Sequence, residues 1–141
     1  MVVVDVNVVA FAFIAGEKTE SARALKERDP DWRLPRIWRE EFASVIAVQV
    51  RSRHLGRETA LALYREALAA LLPGETETDP VLALEISMDL KLSAYDAQYL
   101  ALARQLAVPL VSEDAALRAA DPARVHSLAD ATRPIRGQTA D

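Results

Sequence analysis

Four carboxylates occupy positions where a carboxylate is either costly or well placed for chemistry. Asp5 interrupts the run Val2-Val3-Val4-Asp5-Val6-Asn7-Val8-Val9, otherwise all valine except Asn7. Valine is stiff at χ1 and suits a strand. A run apolar on both alternations reads as a strand buried on both faces. A lone ionised carboxylate there is expensive, so Asp5 lies at the strand's carboxyl end facing a crevice, or has a strong partner. Asp114 follows the apolar segment Pro109-Leu110-Val111-Ser112 and precedes a helix. Asp96 opens a helix after Leu92-Ser93. Glu41 sits one turn before Val45 and beside Trp38 and Phe42, on the apolar face of a long helix, where a Glu is seldom left without a partner. Open parallel sheets gather strand carboxyl ends and helix starts at one edge, so four acids from separate segments can converge. Such a cluster repels itself unless a cation is present. Mg²⁺ fits, because it takes a few carboxylates and keeps waters. Held so, it activates water and polarises a phosphoryl oxygen, which is the chemistry of phosphodiester hydrolysis.

Each acid also has a structural role open to it. Asp5 can cap the helix that begins near Asn7, and Asp114 the helix from Ala115. Ser93-x-x-Asp96 is close to a capping box, with Asp in place of Glu. Glu41 can be neutralised by an arginine on a neighbouring segment. Glu40, on the face toward Arg36 and Ala43, has a simple surface reading.

The elements that would position these acids follow from periodicity. After the valine strand, Asn7 to Gly16 reads as a short helix with Gly16 as its C′ residue. Thr19 to Arg28 is an amphipathic helix, and Asp29-Pro30-Asp31 breaks it. Trp32 to Pro35 suits an edge strand, because Pro35 cannot donate to a ladder. Arg36 to about His54, and Arg57 to Leu72, form two helices in an antiparallel hairpin, closed by Pro73-Gly74. Glu75 to Thr78 is a short strand candidate. Helices follow from Pro80 to Lys91 and from Ser93 to about Leu106, then a strand over Pro109–Ser112 and a helix from Ala115 to Ala120. Val125 to Leu128 reads as a last edge strand. From about Ala131 apolar periodicity stops, so one domain over residues 1–130 and a flexible tail over 131–141 are expected. Strands alternating with helices imply an α/β fold: three layers, α/β/α, around a mainly parallel sheet of four to five strands.

Composition narrows the chemistry. The 141 residues are 51% hydrophobic, enough for one core. No apolar run approaches the length of a membrane span and no leader pattern opens the chain, which reads as a cytoplasmic protein. The absence of Cys excludes thiol chemistry and Cys-type zinc sites, and with only His54 and His126 a His-rich metal site is not expected. Any metal must rest on oxygen ligands, pointing to Mg²⁺ or Mn²⁺. The net charge of −4 does not describe a general nucleic-acid binder. Between Arg33 and Arg57, however, six arginines stand against Glu40 and Glu41, and arginine's planar fork suits phosphate.

The blocks Val3-Val4-Asp5-Val6-Asn7-Val8-Val9, Trp38-x-x-Glu41-Phe42-x-x-Val45, Leu92-Ser93-Ala94-Tyr95-Asp96-Ala97-x-Tyr99-Leu100-Ala101-Leu102-Ala103 and Pro109-Leu110-Val111-Ser112-Glu113-Asp114-x-x-Leu117 resemble the PIN domain, in particular the VapC-like ribonuclease toxins of type II toxin–antitoxin modules. The resemblance covers about Val2 to Leu128. It implies a compact α/β/α fold and Mg²⁺- or Mn²⁺-dependent endoribonuclease activity that leaves a 5′-phosphate and a 3′-hydroxyl. Asp5, Asp96 and Asp114 would be metal ligands, and Glu41 would complete the catalytic set. Ser112 matches a position near metal or phosphate, and Asn7 a common polar position two after the first acid. Glu113 stands where the family usually has a small residue and is expected to face outward. The resemblance further implies an RNA substrate, a cognate antitoxin lying over the helical hairpin, and a homodimer. Two other readings remain: a non-catalytic PIN-like module binding RNA or protein, and a haloacid-dehalogenase-type phosphatase. The latter lacks its second Asp, since Asn7 stands there.

Overall fold

The computed structural model describes residues 1–134. Strand β1 (Val2–Val4) leads directly into helix α1 (Val6–Phe13), and α2 (Thr19–Arg28) follows. Strand β2 (Trp32–Pro35) opens onto the hairpin of α3 (Trp38–Arg51) and α4 (Arg57–Leu71). A 3₁₀ turn, Leu72–Gly74, passes the chain to β3 (Glu75–Thr76). Helices α5 (Pro80–Leu90) and α6 (Ala94–Leu106) precede β4 (Leu110–Val111), α7 (Ala115–Ala120), β5 (Val125–His126) and α8 (Leu128–Ala131). The five strands form one sheet in the order β3-β2-β1-β4-β5, every pairing parallel. Helices flank this sheet in three layers, the α/β/α architecture implied by the alternation of patterns.

β1 is the central strand. Val3 is in register with Arg33 on one side and Leu110 on the other, and Val2, Val3 and Val4 are all buried. Valines on both faces are what a strand covered by helices on both sides requires. Helix α6 packs against β1, β2 and β4. It buries Ala97 and an unbroken run from Tyr99 to Ala103, whose small alanines allow close approach to the sheet. Trp38, Phe42, Phe13 and Tyr64 form a linked aromatic cluster with ring centroids 6.0–6.4 Å apart, tying the base of the hairpin to α1.

Several boundaries differ from the sequence reading. The valine run does not continue as a strand. Val6 to Val9 begin α1, with Val8 and Val9 buried. Valine's strand preference is modest, and the cap at Asp5 together with burial outweighs it. Gly16 is not the C′ residue of α1, since the helix ends at Phe13 with Ile14 as C-cap. β2 is not an edge strand: it lies between β1 and β3. Pro35 is tolerated because it is the strand's last residue. Val125 to Leu128 divides into the two-residue edge strand β5 and the start of α8, with Ser127 as cap. Of the expected tail, Ala131 closes α8, and Arg28 Nη1 donates to the carbonyls of Ala131 and Arg133 at 3.3 and 2.6 Å. Its remainder, 135–141, lies outside the described residues.

Candidate active site

With all strands parallel, their carboxyl ends share one edge. Asp5 follows β1 there, and Ser112 to Asp114 follow the neighbouring β4. Asp5 takes an extended backbone (φ −77°, ψ 160°) and caps α1, its Oδ1 accepting from the Val6 N–H at 2.8 Å. The other oxygen, Oδ2, accepts from Ser112 Oγ at 2.6 Å and from Asn7 Nδ2 at 3.2 Å. Cap and candidate ligand are thus one side chain, its two oxygens divided between the roles.

Ser112 is fully buried. Its hydroxyl donates to Asp5 and accepts from the Asp114 N–H at 3.0 Å, so a single Oγ fixes the spacing of both loops. Asp114 caps α7, with Oδ1 accepting from the N–H groups of Ala116 and Leu117 at 2.8 and 3.3 Å. At the start of α6, Ser93 Oγ accepts from the Asp96 N–H at 3.1 Å. The serine therefore caps α6, and its hydroxyl also pulls against the rise of the Asp96 carboxyl. Glu41 is half-buried on α3 and accepts from Tyr99 Oη at 2.8 Å through Oε1. Glu40, beside it, is exposed.

The electrostatics are those of crowded acids without a counter-charge. Burial pushes the Asp5 carboxyl up to about 6, against the lowering pull of the Ser112 and Val6 hydrogen bonds; Asp96 and Asp114 raise it further. Burial also raises Glu41; Tyr99 pulls it down, while Asp5 and Asp96 add to the rise. Asp96 is raised by burial and by Asp114. Asp5, Glu41 and Asp96 thus sense one another, and Asp114 joins through Asp5 and Asp96. None of the four makes an ion pair among the described residues. No three His, Cys, Asp or Glu side chains among the described residues stand close enough, as placed, to enclose a metal ion between them. The donor set nevertheless fits a hard divalent cation: it is all oxygen, it is short of positive charge, and Mg²⁺ needs only one or two carboxylates with waters filling the rest.

Two residues near the site carry roles the sequence reading did not give them. Tyr99 was legible as core, and it is buried. It also stands three residues after Asp96 and holds Glu41. Burial and the charge of Glu41 push its phenol far above the ordinary range, so it remains a donor. Glu113 does not face outward. Its carboxylate accepts from the Leu128 N–H at 2.7 Å and pairs with Lys18 at 2.9 Å, with Arg118 at 3.9 Å. Its own N–H donates to Asn7 Oδ1 at 3.4 Å. The lysine lies 95 residues away in the chain, beyond the reach of any local pattern.

Comparison with known proteins gives matches of two kinds. No curated protein matches the sequence. Among solved structures, the chain is similar to the crystal structure of FitAcB from Neisseria gonorrhoeae, with 17% identity, a TM-score of 0.68, and coverage of 91% of this chain and 98% of that one. At that identity the likeness is one of fold. The family model described as the PIN domain matches residues 2–122, from the first valine of β1 to the loop before β5. The match takes in Asp5, Glu41, Asp96 and Asp114, and the chain belongs to the PIN domain family.

Proposed function

We propose that this protein is a Mg²⁺- or Mn²⁺-dependent endoribonuclease, acting in the cytoplasm as the toxin of a toxin–antitoxin pair and held in check by a cognate antitoxin. The observation that carries the proposal is the desolvated Asp5, crowded by Asp96, Asp114 and Glu41 with no cation beside them. A fold does not keep such an arrangement for stability, because each raised carboxyl costs free energy when ionised. Acids whose charges raise one another's pKa beside a cleft mark functional sites. Membership of a nuclease-rich family and the resemblance to VapC-like toxins supply the substrate, the antitoxin and the expectation of a homodimer.

In this reading Asp5, Asp96 and Asp114 would hold the divalent ion. When bound, the ion supplies charge neutralisation at the phosphate and acidifies water. The chain's own contribution is to fix the acids. Ser112 holds Asp5 Oδ2 and the Asp114 backbone together. Asn7 steadies Asp5 from the first turn of α1 and is itself held by the Glu113 N–H. Tyr99 occupies Oε1 of Glu41, leaving Oε2 to orient an attacking water on the phosphodiester. Hydrolysis in line would then leave a 5′-phosphate and a 3′-hydroxyl.

The test is RNA cleavage by the wild type and by Asp5→Asn, each with Mg²⁺, with Mn²⁺ and with chelator. Asparagine keeps an oxygen for Ser112 and removes the charge. Cleavage by the wild type that needs the metal, and its loss in the folded variant, is expected. A folded Asp5→Asn protein that cleaves at the wild-type rate contradicts the assignment.

A further inference from the structure

A nuclease whose site is a cluster of acids, on a chain of net charge −4, repels the polyanion it must hold. The affinity has to come from cations set apart from the cluster. Much of the arginine complement is engaged elsewhere. Arg33 is paired with Asp31 at 2.7 Å, Arg39 with Glu75, and Arg104 with Asp121 at 3.0 Å. Arg124 donates to the carbonyls of Ala103 and Val108 at 3.3 and 2.9 Å. The tip of the α3–α4 hairpin is different. From Phe42 to Arg57 the chain holds no Asp or Glu, and Arg51, Arg53 and Arg57 are exposed with no ion-pair partner among the described residues.

The hairpin's direction brings this tip to the correct side of the molecule. Tyr64, midway along α4, donates to the Arg39 carbonyl in the first turn of α3 at 2.9 Å. The chain beyond α4 comes down to the start of β2, where Gly74 lies against the Trp32 carbonyl. The last turns of α3 and the first turns of α4 therefore project past the carboxyl edge, the edge that carries the acids. Arg51 is ten positions along α3 from Glu41, about 15 Å at helical rise.

We infer that the arginines at the hairpin tip, Arg51, Arg53 and Arg57, form a docking surface for the phosphate backbone of single-stranded RNA, separate from the acidic site and projecting from the same edge. The inference rests on the nuclease reading for its choice of ligand. Guanidinium forks suit phosphate oxygens, and each phosphate contact releases counterions, so the contribution is read out by salt. Arg53 offers a clean probe. It follows the C-cap Ser52 in the left-handed region, at φ 62°, where glycine is at home, so Arg53→Gly removes the charge and keeps the turn.

The experiment measures binding of a fluorescein-labelled oligouridine, without divalent metal, to the wild type and to the triple variant Arg51→Gln, Arg53→Gly, Arg57→Gln. Expected is a loss of about 10- to 100-fold in affinity near 0.1 M salt, and a plot of log affinity against log salt shallower by about 2 for three lost contacts. Thermal unfolding and Mn²⁺ affinity stay as in the wild type, and a second variant with Lys at positions 51 and 57 recovers most of the binding. Unchanged RNA affinity and salt slope overturn the inference. So does a triple variant that binds RNA normally and loses affinity for an antitoxin, since the surface would then serve a protein. A wild type that binds oligouridine through these arginines but cleaves no RNA with Mn²⁺ refutes the nuclease reading and leaves the docking surface standing.

Discussion

At the scale of the residue, Asp5 serves as both cap and acid, and the cost of the second role is measurable. Its carboxyl is raised from 3.8 to about 6 by burial, so the folded metal-free protein holds that proton to higher pH than the unfolded chain. For a raised acid the folded state gains below the folded value and loses above it. Stability from this group therefore falls as pH rises from about 4 through 6, by about 3 kcal/mol in all. Denaturant unfolding of the metal-free protein across that range should show the decline. Asp5→Asn should flatten it and be more stable than the wild type at pH 7. Tyr99→Phe acts on the neighbouring acid. Removing the phenol's hydrogen bond to Glu41 should cost about 1–3 kcal/mol of stability. It should also raise Glu41 further, moving the acid limb of the pH–rate profile to higher pH. A profile that stays in place would mean Glu41 plays no part in the chemistry. The acids were visible in the sequence because each stands at a strand end, opens a helix or breaks an apolar face. Tyr99 was not, since an inward tyrosine on an apolar helix gives no sign of what its hydroxyl touches.

At the scale of the element, the loop between β4 and α7 is where the sequence misled and the structure corrects. Glu113 stands between Ser112 and Asp114 and ties the loop to Lys18, to Arg118 and to the first turn of α8. These contacts pull its carboxyl below the ordinary range, against the opposing effect of burial. Glu113→Ala should destabilise the protein by about 1–3 kcal/mol and reduce cleavage at saturating RNA more than it changes KM, because it loosens the residues that hold Asp5. β3 depends on a different device. A Cβ on Gly74 would lie 1.9 Å from the Trp32 carbonyl oxygen, and that oxygen belongs to backbone that cannot step aside. Gly74→Ala should therefore cost more than about 2 kcal/mol in urea unfolding. Helices of ten or more residues were legible from their periodicity. The limits of β1 and α1 were not, because eight residues rich in valine satisfy a strand pattern, and only tertiary burial and the cap at Asp5 divide them. β2 resembled an edge for want of the knowledge that Pro35 would be its last residue.

At the scale of the whole molecule, alternation of strand and helix patterns was sufficient for the layered parallel fold, and parallelism then placed Asp5 and Asp114 on one edge. The strand order β3-β2-β1-β4-β5 was beyond the sequence, since two-residue strands carry no pattern that ranks their neighbours. The direction in which the hairpin tip projects was hidden for the same reason. Binding of a divalent ion to the native state alone should raise stability by about 2.7 kcal/mol at a hundredfold excess over Kd. The gain should be smaller at pH 5 than at pH 7, because protons compete for Asp5. The central claim is that Asp5, Asp96 and Asp114, carboxylates with no cationic partner among the described residues, exist to hold a cation, and calorimetric titration with Mn²⁺ at pH 7 tests it most directly. Saturable binding by the wild type, lost or greatly weakened in folded Asp96→Asn, is the expected result. A wild type that gives no binding heat, or an Asp96→Asn protein that binds Mn²⁺ as tightly as the wild type, would contradict it.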